Sequence, residues 1–319
     1  MFPADFAYVR AEPLADALEL LARASAGGED AKLLAGGQSL LPLMKLRLAA
    51  PETLIDIGAL TGLAGITHGP GASTASTIAA GTMTAAGTTT VGAATTTVGA
   101  ATTYRTLQRD PEMTARFPGI ADALDVLADQ QVRARGTIGG CVAHGDPAAD
   151  LPAVLLALDA AVTIAGPAGT RVTPLDDFLQ GVFTTDLAPD EIITAITLPA
   201  APPGQAYEKF EQPASHLPLA GVCAVLEVND GAVTSVRVAV TGIAPRPFRA
   251  LSAERSLLSA PLTPSALDAA AATVDTGGGQ SLSDQHASGP YRRHLARVLA
   301  RRALARAAER ATSPREPAR

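Results

Sequence analysis

The stretch LLAGGQSL (Leu33 to Leu40) decides how the amino-terminal part of the chain is read. A strand-like run from Lys32 to Ala35 stops at Gly36-Gly37 and is followed by Gln38 and Ser39. Glycines let the chain turn sharply and bring successive backbone N–H groups up to an anion with no Cβ in the way. Ser39 can add a hydroxyl donor. Neither GxGxxG nor GxxxxGK[ST] occurs, so the run is neither of the common phosphate-binding fingerprints, and by itself it reads first as an ordinary tight turn. Upstream, PLADALELLARA (13–24) sets Leu14, Leu18 and Leu21 on one helical face, with Pro13 suited to a first turn. Downstream come Leu40 to Leu48 and a second strand, Thr53 to Ile57. Helix, strand, glycine turn and strand make a compact α/β unit.

A second glycine run, GTIGGC (Gly136 to Cys141), follows a helix expected over 119–131 and reads as another glycine turn. HGDPAAD (His144 to Asp150) comes next. A carboxylate at this distance can accept from ribose hydroxyls, and Asp150 can equally cap the apolar helix Leu151 to Leu158. Between the two glycine runs, Gly69 to Tyr104 carries no charge, and TTTVGAA occurs twice in tandem, at 88–94 and 95–101. Its Gly, Thr and Val content favours strands over a heptad coil, so the duplication is expected to lengthen a strand or loop.

Ala161 to Ile164 and Arg171 to Thr173 form a hairpin around Pro167-Ala168-Gly169, and strand Ile192 to Leu198 ends at the punctuation of Pro199 to Gly204. The remainder predicts strands Leu219–Val228 and Val233–Ile243 around Asn229-Asp230-Gly231. Helices are then expected over 248–258, 264–274 and 291–310, and the last residues read as a disordered tail.

The net charge of −6 argues against a dedicated nucleic-acid binder. No secretory signal and no apolar run of membrane-spanning length are visible, so a cytoplasmic protein is expected. Two cysteines, Cys141 and Cys223, are too few for an iron–sulfur cluster of this chain's own. The five histidines show no paired-ligand spacing, so no metal site is expected. The arginine-rich segment 291–310 carries Leu295, Leu299 and Ala303 as a modest apolar stripe and reads as a packing helix with a solvated face.

AGGQSLLPLMKLRLA (35–49), GTIGG (136–140) and DPAADLPA (146–153) together resemble the FAD-binding medium subunit of molybdenum hydroxylases, the carbon monoxide dehydrogenase medium-subunit and xanthine dehydrogenase FAD-domain family. VGAATT (98–103), TDLAPDEIIT (185–194), YEKF (207–210) and YRRHLARVLARRAL (291–304) continue the resemblance in order along the chain. It implies an α+β fold: a two-lobed FAD-binding domain of the PCMH type over 1–198 (lobes about 1–60 and 61–198), a small C-terminal α+β domain over 199–310 with an antiparallel sheet and helices, and a tail over 311–319. It implies non-covalent FAD, with Ala35, Gly36, Gly37, Gln38, Ser39 and Leu40 around the pyrophosphate. Thr137, Ile138, Gly139, Gly140 and Cys141 would supply a second set of donors. Gly99, Thr102 and Thr103 would line the cofactor, Asp150 would hold the ribose or nearby hydroxyls, Leu187 would pack on the isoalloxazine, and Lys209 would sit near its polar edge.

The resemblance further implies a molybdopterin large subunit and a small subunit with [2Fe-2S] clusters. Electrons would pass from those clusters to this chain and on to an external acceptor, a quinone or NAD, with no catalytic acid, base or nucleophile here. The family usually carries Asn where Cys141 stands and often an aromatic near Leu217. Two other readings stand beside this one: a self-sufficient FAD oxidase or reductase of the same fold, and a cofactor-free scaffold subunit.

Overall fold

In the computed structural model, which describes residues 2–69 and 95–313, the LLAGGQSL stretch runs off the edge of a small parallel sheet. This first unit contains β1 (Ala7–Arg10), α1 (Leu14–Gly27), β2 (Ala31–Leu34), α2 (Leu40–Lys45) and β3 (Thr53–Asp56). The strand order is β1-β3-β2, and both pairings are parallel. Helix α1 buries Ala17, Leu21 and Ala24 and stops at Gly28, whose left-handed φ of 71° lets its N–H return to the last turn.

The second unit is an antiparallel five-stranded sheet with its helices. Strands β4 (Ile66–His68) and β5 (Thr96–Gly99) are followed by α3 (Tyr104–Arg109), α4 (Pro111–Arg116), α5 (Pro118–Val126), α6 (Gln130–Arg135), α7 (Ile138–His144) and α8 (Asp150–Ala157). Then come β6 (Ala161–Gly166), β7 (Gly169–Pro174), the one-turn α9 (Leu175–Phe178), the ribbon β8 (Leu179–Gly181) and β9 (Thr184–Thr185), and β10 (Ile192–Leu198). The order is β4-β5-β10-β6-β7. Every residue of α8 is buried, which explains why its sequence beyond Asp150 is apolar all round.

The third unit is an antiparallel sheet of β11 (Gly204–Glu211), β12 (Pro218–Asn229), β13 (Ala232–Thr241) and β14 (Phe248–Arg249), with α10 (Leu251–Leu257), α11 (Pro264–Ala271) and α12 (Gly289–Thr312). Asp230 and Gly231 both take positive φ (47° and 77°), the two-residue turn that the Asn-Asp-Gly signal predicts. Helix α12 buries Leu295, Leu299 and Ala303 against this sheet, as its stripe predicts. The second and third units share one core, since Tyr207, Cys223, Val225 and Ala239 pack in the same cluster as Leu151, Leu155 and Phe178.

Several local expectations need correction. The helix expected over 119–131 is two helices. Ala128 turns left-handed (φ 45°), the Asp129 carboxylate caps α6 by accepting from the Val132 N–H, and Arg133 donates to the Leu127 and Ala128 carbonyls. A capping carboxylate and an arginine for the open carbonyls make the break cheap. GTIGG is not a turn but the start of α7: the Thr137 hydroxyl caps it by accepting from the Gly140 N–H. The helix expected over 248–258 begins as strand β14 paired with Ala239 and Val240, and the one expected over 264–274 ends at Ala271. Asp150 is not the cap of α8. Ala149 holds that position, and the Asp150 carboxylate is directed elsewhere. The first TTTVGAA copy lies outside the described residues; the second forms β5 and the bend after it.

Candidate functional site

The two glycine runs, a hundred residues apart in sequence, meet at one cavity of about 820 Å³. A Cβ on Gly36 would lie 2.2 Å from the Arg135 carbonyl oxygen and 2.9 Å from the Gly136 Cα. Backbone touches backbone there, and only glycine fits. Gly37 follows with φ 73°. Through this turn the backbone N–H groups of Gly36, Gly37, Gln38, Ser39 and Leu40 have no acceptor among the described residues. The chain resumes normal pairing only where the Leu41 N–H donates to the Gly37 carbonyl, 3.1 Å. The last of these donors are the open N–H groups at the start of α2, and together on the wall of a cavity the run forms a nest for an anion.

The second glycine run is built differently. The Ile138 N–H donates to the Thr102 carbonyl (3.0 Å), Gly139 to Ala100 (2.9 Å), and Gly140 to the Thr137 hydroxyl (3.2 Å). A Cβ on Gly139 would sit 2.5 Å from the Ala100 Cβ. These glycines therefore let α7 press against the bend after β5, and most of their N–H groups are spent inside the protein.

Of the residues singled out in the sequence, Ala35 to Leu40, Thr137, Gly139, Gly140, Cys141, Asp150 and Leu187 line the cavity. Gly99, Thr102, Thr103, Ile138 and Lys209 do not. Thr102 is buried, with its hydroxyl bonded to the backbone of Gly65. Thr103 caps α3, and Gly99 lets β5 approach Leu63. The lining also includes Ala100 and Ala101 of the VGAATT run and Leu217, together with Tyr104, Ala188, Ser215 and His216, which carry no expectation from the sequence. The turn from Ser215 to Leu217 projects from the loop between β11 and β12, and no local motif marks it.

A buried polar cluster backs one wall and reaches the cavity at Asp150. The Asp150 carboxylate accepts from the Tyr207 hydroxyl (2.8 Å) and pairs with the Lys209 ammonium (3.2 Å) on the same oxygen. The Lys209 side chain is only 3% exposed and also donates to the His216 carbonyl, 2.8 Å. Burial pushes the Asp150 carboxyl up to about 6, against the opposing pull of Lys209 and Tyr207. Tyr207 and Lys209 are two apart on β11 and so point to one face. The strand period of YEKF was the available signal for Tyr207, the residue missed. Burial likewise pushes the Cys141 thiol up to about 12, which keeps it protonated beside Tyr104. No group of three His, Cys, Asp or Glu with metal-ligand geometry occurs among the described residues.

Residues 4–90 and 83–201 match the family described as the FAD binding domain in molybdopterin dehydrogenase. Residues 205–307 match the CO dehydrogenase flavoprotein C-terminal domain. The chain belongs to this flavoprotein family. It is 36% identical to the carbon monoxide dehydrogenase medium chain of Afipia carboxidovorans, over 98% of this chain and 99% of that one. It is 35% identical to the nicotine 6-hydroxylase medium subunit of Paenarthrobacter nicotinovorans, over 95% and 97% of the two chains. Its fold superposes on the solved carbon monoxide dehydrogenase of Hydrogenophaga pseudoflava with a TM-score of 0.85 at 37% identity, covering 97% of this chain and 99% of that one.

The family's cofactor is FAD, and the residues present fit it. The cradle at Gly36 to Leu40 offers unpaired donors to a diphosphate, and the cavity is of a size that suits a dinucleotide. This chain is thus an oxidoreductase subunit of the molybdenum hydroxylase type.

Proposed function

We propose that this chain is the electron-transfer subunit of a molybdenum-containing hydroxylase, working beside an iron–sulfur small subunit and a molybdopterin large subunit. When bound, FAD supplies the redox chemistry that carries electrons from the partner's clusters to an external acceptor, a quinone or NAD. The chain's own residues bind, orient and shield. The single observation that carries this reading is the run of unpaired N–H groups from Gly36 to Leu40 on the wall of the cavity. Those groups, with Ala35 and the Ser39 hydroxyl, would hold the pyrophosphate. Thr137, Gly140 and Cys141 would complete that wall.

Asp150, fixed by Tyr207 and Lys209, would accept from hydroxyls of the ribose or the chain that follows it. Lys209 would act on the cofactor through Asp150 and through the turn it holds at His216. Leu187 would supply an apolar wall for the ring. Gly99, Thr102, Thr103 and Ile138 would shape the second wall from behind. The division of labour would follow the sheets, with FAD held by residues 1–198 and the unit from 199 to 310 packed against them. No described helix is long and apolar enough to cross a membrane.

Relatives of nearly equal identity are named for carbon monoxide and for nicotine, so the choice of oxidised substrate would lie outside this chain. The test is a visible spectrum of the purified protein, alone and co-expressed with its neighbouring subunits, with the released cofactor identified by mass. Stoichiometric FAD supports the reading, and an intact complex without flavin overturns it. Substrate turnover by the isolated chain would instead favour a self-sufficient flavoenzyme.

A further inference from the structure

The cavity wall from Thr185 to Glu191 carries Leu187, Ala188 and Pro189, yet it is a loop between a two-residue strand and β10. A loop of this kind needs something to hold it. Arg171, on the edge strand β7, does so with all its guanidinium nitrogens. Its Nε and Nη2 donate to the two oxygens of Glu191 at 2.8 and 2.7 Å, a planar two-point match. Nη1 donates to the Asp186 carboxylate at 2.6 Å and to the Thr173 hydroxyl at 2.9 Å, and Nη2 also reaches the Asp186 carbonyl. The same Glu191 oxygen that meets Nη2 accepts from the Ala188 N–H, 2.9 Å. Arg171 therefore ties both ends of the loop directly and its middle through Glu191. Gly166 leaves room for the arrangement, since a Cβ there would meet the Glu191 Cγ at 2.8 Å.

We infer that Arg171 is a positioning residue for the cofactor: by clamping Asp186 and Glu191 it fixes the Leu187 wall and sets how closely that wall meets the bound flavin. Arg171 does not line the cavity itself, so its effect passes through Glu191 and Ala188. Lysine cannot replace it, because a single ammonium cannot span two carboxylates and a carbonyl at once. The inference rests on the FAD reading above, and its test separates the two.

The experiment uses the full chain as wild type, Arg171→Ala, Arg171→Lys and Glu191→Gln. Amide hydrogen exchange over 185–191 without cofactor reads the clamp. FAD titration and the visible circular dichroism of the bound flavin read its consequence. Arg171→Ala should speed exchange in this segment, weaken FAD binding roughly tenfold and change the dichroic band, with Arg171→Lys giving little rescue. Unchanged exchange in Arg171→Ala overturns the clamp. Faster exchange with wild-type FAD affinity and an unaltered band overturns the positioning role while leaving FAD binding intact. If Arg171→Ala does not fold, Glu191→Gln decides by the same two readouts. If the wild-type chain alone takes up no FAD, the titration and dichroism are run on the complex co-expressed with its neighbouring subunits, where absence of FAD overturns the proposed function, and the exchange data decide the clamp either way.

Discussion

Replacing Gly36 with alanine probes the cradle where its geometry is least forgiving. The new Cβ would lie 2.2 Å from the Arg135 carbonyl oxygen, whereas real Cβ contacts stay beyond 3.0 Å, so the two loops must separate by about 0.8 Å. The clashing atoms are backbone on both sides, and no side chain can swing away to absorb the shift. Overpacking of this kind costs about 1–3 kcal/mol of folding stability. The larger effect should fall on binding. An N–H to phosphate bond near 2.9 Å that lengthens by the same amount is no longer a hydrogen bond. Losing one or two charge-assisted bonds, at about 1.5 kcal/mol each, weakens FAD binding roughly 10- to 100-fold. The assay is titration of cofactor-free protein with FAD, followed by flavin fluorescence, with thermal unfolding in parallel. Gly27→Ala is the control, since its Cβ would meet nothing within 4 Å. A Gly36→Ala protein with wild-type FAD affinity and wild-type melting temperature would refute the reasoning.

Three further outcomes follow from the buried polar groups. Folding raises the Asp150 carboxyl from 3.8 to about 6, so its contribution to stability is full below the lower value and is lost as pH rises through the upper one. The stability of wild type relative to Asp150→Asn should accordingly fall between those pH values and level off above them, and a difference that does not vary with pH in thermal unfolding would contradict this. Tyr207→Phe removes the hydroxyl that lowers the Asp150 carboxyl, so that carboxyl should titrate higher still, with a stability loss of about 1–2 kcal/mol in urea unfolding. Asp122 on α5 accepts from the Tyr207 N–H and from both Arg306 and Arg310 of α12, and is itself buried. Asp122→Ala leaves the Tyr207 N–H without this acceptor and takes one partner each from Arg306 and Arg310, which keep the Glu208 carboxylate and the Gln205 carbonyl, so it should cost about 1–3 kcal/mol, with hydrogen exchange rising first along the end of α12; uniform exchange along the helix would argue against this tie.

The sequence by itself determined the elements whose signals are local. The Asp230-Gly231 turn, the strand that ends at Gly36-Gly37 and the apolar stripe of α12 each depend on neighbours within a turn or two, and those signals act wherever the segment is placed. The resemblance in several spaced motifs gave the family and the cofactor for the same reason: a cradle of backbone donors requires particular residue types at fixed spacing. Tertiary structure alone decided what each glycine serves. Gly36 and Gly139 are each pressed against another segment, at Arg135 and at Ala100, yet the Gly36 N–H is left open in the nest while the Gly139 N–H is spent on the Ala100 carbonyl. It also decided that Lys209 pairs with Asp150 behind the cavity wall, and that Arg171 holds a loop up to 20 residues away. Partners of that kind are selected by which strands lie side by side and by the need to satisfy every buried charge, and neither is written in the order of residues along the chain.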